Sequence, residues 1–170
     1  MEGFLSQRLE EIKNEIIHSF GNKLRIRVCG ICIEDNKIVL VKHHSLGKGG
    51  ILWAQPGGGM VFGETAACAL TREFIEETGL NISVEKFLCV NEYLSPPLHA
   101  IELFFLVKKI DGTLKTGVDP ELHKDRQIIT DVEWLSFETL NQLPTDAVHR
   151  LLQGVKNQSE LIQRVGYFIP

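Results

Sequence analysis

The sequence predicts a sheet with helices on its faces, of the α/β type in the α+β or mixed sense, folded as a single domain. Three observations predict it. Segments with strand character outnumber helical ones, and the two kinds alternate irregularly instead of in the strict rhythm of a doubly wound parallel sheet. No repeat or low-complexity stretch interrupts them. With 170 residues, 44% of them apolar, the chain can close one substantial core.

From the N-terminus, Leu5, Leu9, Ile12, Ile16 and Ile17 recur at three- and four-residue intervals, which predicts an amphipathic helix ending near Gly21. Its apolar stripe packs either on the domain or on a second subunit. Two apolar runs follow, Leu24 to Glu34 and Lys37 to Lys42, and the Asp35-Asn36 pair between them is turn chemistry, so they form a hairpin. His43 to Gly50 is polar and glycine-rich and leads through Leu52-Trp53-Ala54 into Pro56-Gly57-Gly58-Gly59. A helix spans Glu64 to Thr78 and stops at Gly79, a residue suited to the left-handed conformation of helix ends. Strands at Ile82 to Tyr93 and Ala100 to Lys108 are separated by Ser95-Pro96-Pro97, since proline donates nothing to a sheet ladder. Asp111 to Ile128 reads as loop, Thr130 to Leu135 as strand, and Phe137 to Leu143 and Thr145 to Val155 as short helices.

Charge and cysteine content exclude several classes of function. A formal charge of −4 provides no long-range attraction for nucleic acid or anionic lipid, so neither is expected as a partner. Glu2, Arg8, Glu10, Glu11, Lys13 and Glu15 break up the first twenty residues, unlike a secretory leader, and no segment has the apolar length of a membrane span. A soluble, cytoplasmic protein is the expectation. Cys29 and Cys32 form a C-G-I-C pair, but on a strand residues three apart point to opposite faces, which suits neither a redox pair nor one zinc ion. No second C-x-x-C completes a zinc site, and the four cysteines read as small residues of the core.

The chemistry concentrates on the helix from Glu64. At about 100° per residue from Glu73, Glu77 lies at about 40° and Glu76 at about 300°, so three carboxylates share a sector about 100° wide with only Ala66 and Ala69. Leu70, Ala67 and Phe74 form a neighbouring apolar stripe at about 60° to 120° that presses the helix onto the sheet. Like charges at these spacings cost some tenths of a kcal/mol per pair, and a divalent cation compensates them. Carboxylate oxygens are hard ligands that suit Mg²⁺, with Mn²⁺ as the alternative. Ahead of the helix, Gly57 to Gly59 carry no side chains, so their backbone can approach a metal or a phosphate. Glu64 begins the helix, where its dipole favours a carboxylate, and Arg72 offers a fork able to pin one glutamate. Alone, three glutamates on a helix are ordinarily a solvated face and three glycines an ordinary turn; their joint spacing sets them apart.

That spacing, G-G-M-V-F-G-E-T-A-A-C-A-L-T-R-E-F-I-E-E-T-G-L from Gly58 to Leu80, resembles the Nudix box G-x5-E-x7-R-E-U-x-E-E-x-G-U at every position, with Phe74 where an aliphatic residue is usual. Trp53-x-x-Pro56-Gly57-Gly58, the preceding hairpin and Val132 to Leu135 followed by Phe137 to Leu143 are similar to the family's framework. The resemblance implies a domain over 23–156, with the helix of 1–22 and a C-terminal extension of 157–170 as additions.

It also implies an α/β/α sandwich around a mixed central sheet and an Mg²⁺-dependent hydrolase that cuts a diphosphate linkage in a small nucleotide-like substrate. Glu73, Glu76 and Glu77 would ligate the metal with the carbonyl of Gly57, Glu64 would support them or bind a further ion, and Arg72 would orient a glutamate. Gly58 and Gly59 would face the phosphates. Family members differ in whether a box glutamate or one in a later loop takes the proton, and Glu121 in Asp119-Pro120-Glu121 is the later candidate. Lys42, His43, His44 and Lys48 around the loop before Trp53, and Arg25 or Arg27 on the first strand, are candidates to balance phosphate charge, each against the bland alternative of a solvated base. Pro96 falls where a proline marks ADP-sugar-cleaving members, which favours a nucleoside diphosphate joined to another group, such as ADP-ribose or a nucleotide sugar, over a nucleoside triphosphate. Trp53, Phe62, Tyr93 and His99 are candidates to stack on a base, with core packing the stronger expectation for Trp53 and Phe62. A catalytically silent binding module is the alternative of a different class, against which all box glutamates stand. Many family members dimerise, so a homodimer through the N-terminal helix stays open beside a role in covering the sheet.

Overall fold

The computed structural model describes residues 2–44, 46, 49–120, 122, 125 and 127–169, without the side chains of residues 2–6, 8 and 9. The N-terminal amphipathic run forms α1 (Glu2–Phe20), which ends with Gly21 bonded back to the Ile17 carbonyl. Then come β1 (Leu24–Glu34), β2 (Lys37–His44), β3 (Ile51–Ala54), β4 (Gly57–Gly59), α2 (Ala66–Thr78), β5 (Leu80–Ser95), β6 (Leu98–Gly112), β7 (Ile129–Ser136), α3 (Phe137–Gln142), α4 (Gln158–Ile162) and β8 (Gly166–Phe168). Asp35 and Asn36 both take positive φ, 49° and 58°, the conformation that lets a two-residue turn follow the twist of its strands, so the predicted hairpin forms there.

Among the described residues eight strands make one mixed sheet in the order β3-β2-β1-β6-β5-β8, with β4 also paired to β1 and β7 to β2. β1 and β6 run parallel from Leu24 opposite His99 to Cys32 opposite Val107; β5 and β6 are antiparallel along nearly their whole length. Helices lie on both faces. One core is built from Val28, Cys32, Val39, Val41 and Val107 under Leu70 and Phe74 of α2. The opposite core joins Cys29, Ile31, Leu40 and Phe104 to Phe137 and Leu140 of α3 and Leu161 of α4. Cys29 and Cys32 thus sit on opposite faces, and burial pushes the Cys32 thiol up to about 11 and that of Cys29 well above its ordinary value. A third, small cluster sets Ile12 of α1 on Leu122 and Ile128. No described helix is long and apolar enough to cross a membrane.

The structure departs from the sequence reading in several places. The strands flanking Pro96 run on to Leu80 and Gly112, because residues that look polar in isolation pair across a long ribbon. The helix expected at Thr145 to Val155 is two single 3₁₀ turns, Thr145–Ala147 and Arg150–Leu152. Between them Val148 is extended and bridges to Trp53, while His149 donates its N–H to the Trp53 carbonyl at 2.8 Å, so the apolar residues reach the core without a helix. Beyond Val155 the chain forms α4 and then β8, which adds an edge strand beside Cys89 to Asn91.

Candidate functional site

The acidic helix is held by its ends and its apolar face. The Thr65 hydroxyl accepts from the Cys68 N–H at 3.2 Å as N-cap, and Gly79, at φ 71°, closes the helix by donating to the Ile75 carbonyl. The helix therefore begins two residues later than Glu64, whose carboxylate turns back to the Val61 N–H. Phe74 and Leu70 press onto β1 at Gly30, where a Cβ would collide with the Phe74 ring.

This packing divides the three glutamates. Glu73 and Glu77 are each only 4% exposed, whereas Glu76 is half-buried. Glu77 borders the apolar stripe in the helical projection, so the contact that buries Phe74 buries it too.

Arg72 does more than pin one glutamate. Its Nη1 donates to Glu73 Oε1 at 2.8 Å and Glu76 Oε2 at 3.1 Å, its Nη2 and Nε donate to Glu64 at 2.9 and 3.3 Å, and Nη2 also reaches the Gly59 carbonyl at 3.2 Å. One guanidinium thus joins three box carboxylates to β4. Arg72 holds the Glu64 carboxyl below its usual range, and Glu64 foremost, then Glu73, raises the Arg72 pKa still further.

On the inner side Glu77 Oε2 accepts the Gly57 N–H at 2.9 Å, and the Gly57 carbonyl accepts from Arg27 Nη2 at 3.1 Å. A Cβ on Gly58 would overlap the Glu73 carboxylate, so bare backbone in β4 is what lets that carboxylate lie there. Burial pushes the Glu77 carboxyl well above its ordinary value, opposed by the Gly57 N–H and reinforced by Glu73. Two adjacent buried carboxylates beside a glycine cradle are an oxygen-only donor set with an excess of negative charge, which fits a hard divalent cation. As the side chains stand, no three His, Cys, Asp or Glu among the described residues converge on one point able to hold an ion; the Arg72 guanidinium lies among Glu64, Glu73 and Glu76.

One acid at this site was missed from the sequence. The N–H groups of Lys115, Gly117 and Val118 donate to the carbonyls of Thr78, Glu77 and Glu76 at 3.0, 2.9 and 3.2 Å, so the loop after β6 caps the end of α2. It brings Asp119 close enough for its charge to act on Glu77. The polar run Asp119-Pro120-Glu121 was the signal; Glu121 itself lies outside the described residues, as does Lys48.

The substrate candidates are dispersed. Arg27 joins the site through Gly57 and also faces Glu102 at 3.6 Å. Glu102 accepts from Asn91 at 2.8 Å and His149 at 3.1 Å; burial would raise its carboxyl, but His149, Arg27 and Asn91 together hold it at about 2. Lys42 lies over the Trp53 ring, 5.5 Å from its centre, and His44 Nε2 bonds to the Gln127 carbonyl at 2.9 Å. Pro96 is exposed at the tip of the β5–β6 hairpin, and His99 pairs with Glu92 at 2.7 Å on the sheet face opposite to Arg27. Trp53 is buried as expected, whereas Phe62, expected in the core, is fully exposed in the turn between β4 and α2.

An acid-bearing helix bound to a triple-glycine strand within a two-faced mixed sheet is the loop-helix-loop of the Nudix fold. The chain belongs to this family, and the NUDIX domain pattern matches residues 23–155. Over 98 residues it is 41% identical to an ADP-ribose pyrophosphatase of Methanocaldococcus jannaschii, a match covering 55% of this chain and 56% of that protein, so the chain spans about half the length of this relative. Among solved structures it is similar in fold to a NUDIX hydrolase from Nitrosomonas europaea (TM-score 0.63, 20% identity, 76% of this chain and 84% of that one). It is likewise similar to an ADP-ribose pyrophosphatase from Streptococcus suis 89-1591 (TM-score 0.55, 15% identity, 86% and 98%).

Proposed function

We propose that this protein hydrolyses a diphosphate linkage in a nucleoside diphosphate joined to a second group, of the ADP-ribose or nucleotide-sugar type, and does so with Mg²⁺, or Mn²⁺ in its place. The observation that carries the reading is the set of box carboxylates gathered by Arg72 against Gly57 to Gly59. The 41% identity to a protein described as an ADP-ribose pyrophosphatase supports the substrate class.

Glu73, Glu76, Glu77 and the Gly57 carbonyl would hold the cation, which supplies a Lewis acid that draws charge from phosphoryl oxygens and acidifies water. Arg72 gathers Glu64, Glu73 and Glu76 beside β4, and Glu73 and Glu76 would turn from the guanidinium towards the cation as it enters. Glu64 acts through Arg72. Gly58 and Gly59 admit the phosphates to the backbone, and Arg27, tied to Gly57, adds positive charge beside them. Lys42, His44, Pro96 and His99 contribute only where substrate extends beyond the diphosphate. Asp119 or Glu121 would take the proton if Glu73, Glu76 and Glu77 are all engaged. In this reading 23–156 is the hydrolase domain, 1–22 and 157–170 are additions, and the protein works in the cytoplasm as a monomer or homodimer.

The test is product release from ADP-ribose, sugar nucleotides, dinucleoside polyphosphates and all (d)NTPs with Mg²⁺, comparing the protein with its Glu76→Gln and Glu77→Gln variants. ADP-ribose or a sugar nucleotide turned over by the parent and lost in both variants is the expected result. Preference for (d)NTPs would replace the substrate class, and undiminished turnover in both variants would overturn the metal assignment.

A further inference from the structure

Asp119 owes its place to tertiary contacts, since the described residues 113–119 belong to no helix or strand. On one side are the three bonds from Lys115, Gly117 and Val118 to the last carbonyls of α2, packed so closely that a Cβ on Gly117 would overlap the Glu76 carbonyl. On the other side is the Gln127 carboxamide. Its Oε1 accepts the Asp119 N–H at 2.6 Å, and its Nε2 donates to the carbonyls of Asp119 at 2.8 Å and Leu122 at 3.0 Å. A side chain that binds both backbone groups of one residue takes the place of a neighbouring strand.

Gln127 is itself anchored. Its carbonyl accepts from His44 Nε2 at 2.9 Å, and the next carbonyl, Ile128, accepts the His44 N–H at 2.8 Å, which ties the clasp to the end of β2. Leu122 and Ile128, on either side of it, are buried against Ile12 of α1. The N-terminal helix therefore buttresses the loop that carries Asp119.

We propose that Gln127 is a positioning residue that holds Asp119 at the Glu77 end of the cation site, with α1 supporting it through Ile12; the inference rests on the hydrolase reading above. The need is electrostatic. An acid beside the buried Glu77 is repelled by it, and an unrestrained loop residue would turn to water, since ordering each such residue costs about 1–2 kcal/mol. Three hydrogen bonds of about 1 kcal/mol each offset that cost. Glu73, Glu76 and Glu77 are placed by their own helix; Asp119 is held between the bonds of its loop to α2 and the clasp.

The experiment compares Gln127→Met, Asp119→Asn, the double variant and Glu77→Gln in the full chain. Mn²⁺ affinity is read by electron paramagnetic resonance without substrate, and kcat and KM are read with ADP-ribose and Mg²⁺. Gln127→Met and Asp119→Asn are each expected to weaken Mn²⁺ binding and kcat by about 10- to 100-fold, the usual effect of removing support around a metal site, with KM changed less than about threefold. The double variant is expected to match Asp119→Asn alone, because the clasp acts only through that residue. Additive losses, a loss confined to KM, or a wild-type Asp119→Asn overturn the proposal. Should Gln127→Met not fold, Gln127→Glu keeps the acceptor, loses both donated bonds and is read by the same cycle. A wild-type Glu77→Gln sinks the hydrolase reading itself, whereas an inactive Glu77→Gln beside a wild-type Gln127→Met sinks only the clasp. Ile12→Ala is expected to reproduce a milder loss of kcat at constant KM; a change in Tm alone removes α1 from the device.

Discussion

Replacing Arg72 by lysine keeps the charge and removes the fork. The guanidinium makes five hydrogen bonds, two to Glu64 and one each to Glu73, Glu76 and the Gly59 carbonyl. An ammonium group is a point charge on a flexible stem and cannot span these four partners. Loss of several charge-assisted bonds at about 1.5–3 kcal/mol each would sum to more than about 5 kcal/mol, but Arg72 is 32% exposed and solvent screens much of that. About 2 kcal/mol remains for Arg72→Lys and about 3 for Arg72→Ala, in which the buried Glu73 carboxylate loses the Arg72 guanidinium. In a chain of 170 residues each kcal/mol moves Tm by about 2–4 °C, so the shifts are about 4–8 °C and about 6–12 °C. The assay is thermal unfolding by circular dichroism at pH 7 in EDTA, so that no added cation replaces the lost charge. An alanine variant that melts within about 1 °C of the parent would refute the view that Arg72 neutralises a strained carboxylate cluster.

Gly58→Ala puts a methyl group where the Glu73 carboxylate lies, and is expected to lower Mn²⁺ affinity and kcat by about tenfold or more; an Mn²⁺ titration beside initial rates checks this. Glu102 titrates at about 2 in the fold against an ordinary 4.5, so its contribution of about 3 kcal/mol is complete above pH about 4.5 and disappears as pH falls towards 2. Urea unfolding across that window should show a flatter pH dependence in Glu102→Gln. His43, whose buried Nδ1 has no hydrogen-bond partner among the described residues, is held at about 4 by burial and then by the Arg27 charge, against an ordinary 6.5. The unfolded chain takes up its proton first, so stability drops as pH falls from about 6.5 to 4, and that drop should be absent in His43→Gln.

How much of the site was legible follows from where each residue gets its position. Glu73, Glu76 and Glu77 lie on one helix, so their common face follows from its period, and the stripe of Leu70 and Phe74 beside them fixes which way that face turns. The glycines were legible because no other residue leaves room for Glu73 at Gly58. Arg72 was read as a partner for one glutamate and serves three, because only the approach of β4 brings Gly59 and Glu64 within its reach.

Local periodicity and one spaced motif were thus enough to specify the mixed fold, the Nudix family and the shared face of the acids on α2, since all of these depend on residues within a few turns or strands of one another. The third dimension decided the rest. Asp119 lies beside the end of α2, and Gln127 beside the end of β2, because the loop between β6 and β7 closes on segments about 40 and about 80 residues away in the chain. It also decided the burial of Glu77, the support of that loop by the first helix, and the edge strand β8. Contacts between such distant segments leave no period in the sequence, because each partner taken alone is an ordinary polar or apolar residue.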